Sequence, residues 1–206
     1  MDPMPKDPCR TPEPEPSFEP GRTHLVTAST LDGARLFRDG TRLRVLRRAL
    51  LSALTGQGWS VDAWVALPNH YHVLARSPDR RDGPRAWVSA AHVLSARDLN
   101  VLDGTPGRPV WNRATVTPIA DEAAWFASVR YVMENPVRHG YVRAVETWPF
   151  GWAGELSDRA DPSLMARVMS QRCDRVVVSD VLHAFGSVCA PVIAPCPILT
   201  APGMEG

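Results

Sequence analysis

Strand-like and helix-like patterns of apolar residues alternate along the middle of the chain. Residues 59–66, Trp-Ser-Val-Asp-Ala-Trp-Val-Ala, are rich in strand formers, and a second such run covers residues 70–77. Leu67-Pro68-Asn69 separates them. Proline fixes one backbone dihedral and asparagine tolerates unusual ones, so the tripeptide predicts a turn and the two runs a β-hairpin. Residues 24–30 predict another strand. Helical spacing appears near residues 40–55, 85–99 and 121–135. In the first of these, Leu43, Leu46, Leu50 and Leu54 form the apolar face. In the last, Asp121 suits an N-cap and Pro136 predicts an end or a kink. At about 100° per residue, Trp125, Phe126, Val129, Val132 and Met133 fall within roughly a third of its circumference and predict the core stripe. Together the elements predict an α+β fold, an antiparallel sheet covered by helices.

Two pairs of polar residues stand out against this pattern. Along a strand alternate side chains share a face, so His70, His72 and Leu74 point one way and Tyr71 and Val73 the other. Imidazoles one pleat apart can chelate one ion. Surface or hydrogen-bonded histidines have the same spacing, and the spacing leaves both readings open. On the 121–135 helix, Tyr131 and Asn135 are spaced i and i+4 and project together from a flank outside the core stripe. The preceding turns carry only Ala124, Ala127 and Ser128 on that flank, which predicts room for a substrate. Arg130 and Glu134 lie farther round, where solvent is expected. A packed tyrosine remains the alternative to a reactive one.

These residues lie in two motifs, Pro-Asn-His-Tyr-His-Val-Leu at 68–74 and Tyr-Val-Met-Glu-Asn-Pro-Val-Arg-His-Gly-Tyr-Val at 131–142. The pair resembles the single-tyrosine HUH transposases, and among them the REP-associated tyrosine transposases. Other segments match in order: His24 to Thr30, then Leu36-Phe37 and a basic helix, Gly107 to Trp111, and the aromatic close Trp148-Pro-Phe-Gly-Trp152. The resemblance covers residues 22–156 and implies a ferredoxin-like sandwich. It also implies that His70 and His72 are a metal pair, that Asn135 is a third ligand, and that Tyr131 is a nucleophile forming a 5′-phosphotyrosine intermediate. The implied cofactor is a divalent metal, Mg2+ or Mn2+, since imidazole suits manganese and oxygen donors suit magnesium. The implied partner is single-stranded DNA bearing a palindromic hairpin, bound by a monomer or homodimer. One segment departs from the pattern: residues 87–102, basic in many relatives, hold a single cation here, Arg97.

Charge changes this picture only after partition. The whole chain is nearly neutral, at +1. Residues 22–156 hold 17 arginines against 12 acids, a net of +5, whereas residues 1–21 carry −3 and residues 157–206 carry −1. A moderately basic domain between acidic tails fits a nucleic-acid partner. Arg42, Arg44, Arg47 and Arg48 cluster on one helix; Arg44, Arg47, Arg48, Arg113 and Arg138 are the candidate DNA contacts. A solvated amphipathic face accounts for the helix cluster equally well.

The flanks add little chemistry. Residues 1–21 hold seven prolines and five acids, the composition of a disordered tail, and lack the pattern of a signal peptide. Residues 188–202 are apolar but interrupted by Pro191, Pro195, Pro197 and Pro202, which excludes a membrane helix. Cys9, Cys173, Cys189 and Cys196 have no zinc-site spacing and are expected as reduced thiols in a cytoplasmic protein. Residues 157–206 form an extension of unassigned role. The reading is thus a DNA transposase or single-strand endonuclease. Its alternatives are a domesticated DNA-binding protein that does not cleave, a relaxase or replication initiator sharing the chemistry, and a zinc hydrolase that uses water.

Overall fold

The computed structural model describes residues 20–78, 83–152, 162–173 and 176. Its elements are β1 (Thr23–Ser29), α1 (Gly40–Gly56), β2 (Ser60–Ala66), β3 (His70–Arg76), α2 (Arg85–Asp103), β4 (Thr115–Pro118), α3 (Glu122–Arg138) and α4 (Pro162–Ser170). The strands form one antiparallel sheet in the order β2-β3-β1-β4. With α1 after β1 and α2 after β3, this is the ferredoxin-like arrangement that the sequence resemblance implies.

The two faces of the sheet are covered by different helices. On one face Val26, Ala28, Trp64, Ala66, Tyr71, Val73 and Ala75 pack with the buried leucines of α1 and with Trp87, Ala91 and Leu99 of α2. On the other, Leu25, Ala63, Val65 and Leu74 pack against Phe126, Val129, Val132 and Met133 of α3. The period-2 alternation of β3 therefore sends Tyr71 into the first layer and His70 and His72 toward α3. A one-residue slip of β3 would exchange these faces. The slip is opposed by pairing on both sides: Thr27 and Val65 flank His72, and Ser29 lies opposite His70.

Two contacts set the α3 position. Asp121 caps its N-terminus through the Ala124 amide at 2.7 Å, and Trp125 Nε1 donates to Asp62 Oδ2 at 2.8 Å. Asp62 sits in the irregular step of β2 between Val61 and Ala63. The aromatic close at 148–152 runs along the outer edge of β2: the Ala66 amide donates to the Phe150 carbonyl, and the Trp152 amide to the Trp64 carbonyl. Gly151 pairs with Val65 in an isolated antiparallel bridge there.

Several expectations need correction. β4 has no counterpart in the sequence-based elements, because a four-residue Thr-Val-Thr-Pro edge strand shows too little alternation to register. α2 continues to Asp103, beyond residue 99. α3 continues through Pro136 to Arg138. Proline removes one amide and crowds the carbonyl four residues back, but here that loss falls in the last turn, where the helix is about to end. Arg130 and Glu134 are not solvated as expected: Arg130 Nε bonds Glu134 Oε1 at 2.7 Å, and Arg130 Nη1 bonds the Met169 and Gln171 carbonyls. α4, from the extension, packs Val168 into the α3 layer. The tail 1–19 and the apolar stretch 188–202 lie outside the described residues. No described helix is long and apolar enough to cross a membrane.

Candidate functional site

His70, His72, Tyr131 and Asn135 meet between β3 and α3. The His70 and His72 ring centroids are 5.1 Å apart, and the His72 and Tyr131 centroids are also 5.1 Å apart. Asn135 Oδ1 lies 3.0 Å from His70 Nε2. The i, i+4 pair on α3 and the i, i+2 pair on β3 thus meet across one layer. His72 Nδ1 is 2.7 Å from Thr27 Oγ1, its cross-strand neighbour, whereas His72 Nε2 is buried with no partner.

The enclosure is tighter than the sequence predicts. His70 and His72 are fully buried, Asn135 is buried, and Tyr131 is only 7% exposed. The room expected beside Tyr131 is absent, because Ser128 is itself buried and the Arg138 guanidinium lies 5.6 Å from the phenol ring centre. Arg138 also reaches Glu134 and Cys173 Sγ. The predicted flank is therefore part of the α3 core cluster rather than an open cleft.

A residue not singled out from sequence joins the group. His139, just past α3, is exposed and places its ring 4.8 Å from that of His70. Beyond it stand Tyr141 and Arg35, whose guanidinium lies 5.3 Å from the Tyr141 ring centre. The motif Arg-His-Gly-Tyr already contained His139 and Tyr141; an exposed histidine after a helix simply has no periodic signature.

The candidate arginines do not form one cluster. Arg138 adjoins Tyr131. Arg113 is exposed, one residue after Asn112, whose Nδ2 bonds Ser29 Oγ and the Thr30 carbonyl at the histidine end of β1. Arg44, Arg47 and Arg48 lie on α1, across the sheet. There Arg47 stacks over Trp64, Arg48 bonds Asp98 at 2.7 Å and Arg44 bonds Thr41. Arg42 is committed to Asp39 and Asp103.

Burial keeps the rings neutral. It lowers His70 to about 3, with His139 adding repulsion, and takes His72 well below its ordinary value. On the opposite face, burial lowers His92, 3.0 Å from Tyr71 Oη, to about 4. Unfolded rings titrate near 6.5, so unfolding below that pH takes up protons the folded state refuses. This stability is complete above about pH 6.5 and is lost as the pH falls toward the folded values. Each such ring costs about 2 kcal/mol at pH 5. The urea unfolding midpoint of the metal-free protein is expected to drop steadily from pH 7 to pH 5. A flat profile would contradict neutral buried rings.

A divalent cation fits this donor set. His72 Nε2 is an orphaned buried nitrogen, the state expected of a ligand rather than a core polar group. The 3.0 Å between His70 Nε2 and Asn135 Oδ1 matches the edge of an octahedron with bonds of about 2.1 Å. Among the described residues, no cluster of three or more His, Cys, Asp or Glu side chains forms a metal cage. Any such site here combines two imidazoles with an amide.

No family model matches the chain. It is 25% identical over 138 residues to the REP-associated tyrosine transposase of Escherichia coli (strain K12), covering 57% of this chain and 77% of that protein. A solved REP-associated tyrosine transposase bound to a REP hairpin shares the fold, with a TM-score of 0.59 and 24% identity over 72% of this chain and 87% of its own. The sequence match and the shared fold both agree with the resemblance to the REP-associated tyrosine transposases.

Proposed function

We propose that the protein is a metal-dependent single-strand DNA endonuclease and strand transferase that works through a 5′-phosphotyrosine intermediate. The observation that carries this reading is the meeting of Tyr131 with His70, His72 and Asn135 in one layer. His70, His72 and Asn135 would hold the cation, which when bound neutralises a nonbridging phosphate oxygen and the charge that builds there. Tyr131 Oη attacks the phosphorus, the P–O3′ bond breaks, and the phenolic proton leaves as the 3′ hydroxyl forms. The phosphotyrosine bond conserves the energy of the broken ester, so a 3′ hydroxyl can reverse the attack and join strands. Because Tyr131 is enclosed, α3 has to shift before a phosphate reaches it. That same enclosure favours a second reading, a DNA-binding protein that does not cleave.

The REP hairpin bound by the similar solved structure supports a substrate of the proposed class, single-stranded DNA carrying a small palindromic hairpin. The two readings separate when such a strand is incubated with Mn2+. Cleavage with the downstream 5′ end carried on the protein supports the first; intact DNA in a stable complex supports the second. A free 5′ phosphate would mark water as the nucleophile and overturn the phosphotyrosine reading.

DNA contact is expected on the side of the sheet that holds the histidines. Each single-strand phosphate contact contributes roughly −0.7 to the slope of log affinity against log salt. Substituting Arg113 and Arg138 together is expected to flatten the slope by about 1.4. The triple substitution of Arg44, Arg47 and Arg48 should change it less, since α1 lies across the sheet. Equal flattening by the triple variant would move the interface to the helical face.

A further inference from the structure

Asn69 directly precedes the first candidate ligand, and its amide is held from two sides. Its Nδ2 donates to the Gly33 carbonyl at 3.2 Å, which turns Oδ1 toward His70 Nδ1 at 2.8 Å. The main chain is tied to the same place: the Thr30 amide donates to the Asn69 carbonyl at 2.8 Å, and the Thr30 hydroxyl, which donates to the Ala34 carbonyl at 2.6 Å, lies 3.1 Å from it. The anchoring turn, Leu31–Gly33, holds Asp32 at φ 55° and Gly33 at φ 65°, so two consecutive left-handed residues aim that carbonyl.

A carboxamide oxygen only accepts, and a neutral imidazole has one N–H. With Asn69 Oδ1 facing Nδ1 at 2.8 Å, a proton on Nδ1 satisfies the shorter of the two contacts, and Nε2 then keeps its lone pair. That lone pair faces Asn135 Oδ1, a second acceptor. The other tautomer would satisfy Asn135 but set two lone pairs against each other at the shorter Asn69 contact. Two lone pairs converging at Nε2 and Oδ1 leave a place for a cation rather than for a proton.

We propose that Asn69 is a positioning residue for the metal site: it holds His70 in the Nδ1–H tautomer, so that a divalent cation meets two lone pairs on arrival. The inference rests on the reading of His70, His72 and Asn135 as metal ligands. Outer partners of this kind orient a ligand ring and raise its basicity, and their loss typically costs 10- to 100-fold in metal affinity.

The test uses the full chain with 15N-labelled histidine, read by NMR without metal, alongside calorimetric titration with Mn2+. Wild-type His70 is expected to show a protonated Nδ1 and a bare Nε2. Asn69→Ala should move the proton to Nε2, where it donates to Asn135, and weaken Mn2+ binding about 10- to 100-fold. Asn69→Asp keeps an acceptor at Nδ1 and should restore both the tautomer and most of the affinity. A wild-type proton on Nε2 overturns the proposal, as does an Asn69→Ala protein with unchanged tautomer and affinity. A wild-type protein that shows the Nδ1–H form yet binds no Mn2+ overturns the metal reading, and the proposal with it.

Discussion

Tyr131→Phe is expected to abolish the covalent link to DNA, with adduct formation falling at least about 10^4-fold, because it removes the oxygen proposed to attack. Stability should change by no more than about 1 kcal/mol, the scale of a single hydroxyl's net contribution. The ring stays packed against His72 and beneath Arg138, so DNA binding should survive. The chain has three tyrosines, and the other two are controls of different kinds. Tyr71 faces the α1–α2 layer and meets His92, so Tyr71→Phe is expected to cost some stability and leave the adduct intact. Tyr141 lies nearer than its position beyond Pro136 suggests, its ring 6.4 Å from that of His139. A residual adduct in Tyr131→Phe should therefore be sought there.

The second large effect concerns the metal. His70→Ala and His72→Ala are each expected to lower Mn2+ affinity by more than about 100-fold, exceeding what loss of an outer partner causes. A bound ligand stabilises the folded state by mass action, about 2.7 kcal/mol at one hundred times its dissociation constant. Wild-type protein should accordingly show a rise in thermal midpoint with Mn2+ that both variants lose. Chelation should remove cleavage and the added stability together. If the variants keep the metal-dependent rise, the ion binds elsewhere and the assignment of the two histidines fails.

Much of this arrangement was legible in the sequence, for reasons that differ by residue. The face shared by His70 and His72 follows from strand alternation once the Leu67-Pro68-Asn69 turn fixes where β3 begins. The buried stripe of α3 follows from helical spacing, and Phe126, Val129, Val132 and Met133 are all buried. The enclosure of Tyr131 and Asn135 was not legible, because spacing says which side chains travel together but not what lies opposite. What lies opposite is the histidine face of β3, brought there only by tertiary packing. The division of the arginines is of the same kind. Helical spacing groups Arg44, Arg47 and Arg48, whereas only the topology puts α1 on the far side of the sheet. Likewise Asn69 reads as a turn former, and its amide gains a second role only because Gly33 and His70 flank it in space.

Whether DNA becomes bonded to Tyr131 is the most direct test of the account. The full chain is incubated with Mn2+ and a single strand carrying a short hairpin, then denatured, digested with trypsin and nuclease, and analysed by mass spectrometry. The expected result is one modified peptide, bearing a 5′-linked nucleotide on Tyr131, that is absent when metal is chelated. A nucleotide on another residue, or cleavage that leaves Tyr131 unmodified and a free 5′ phosphate, would contradict it.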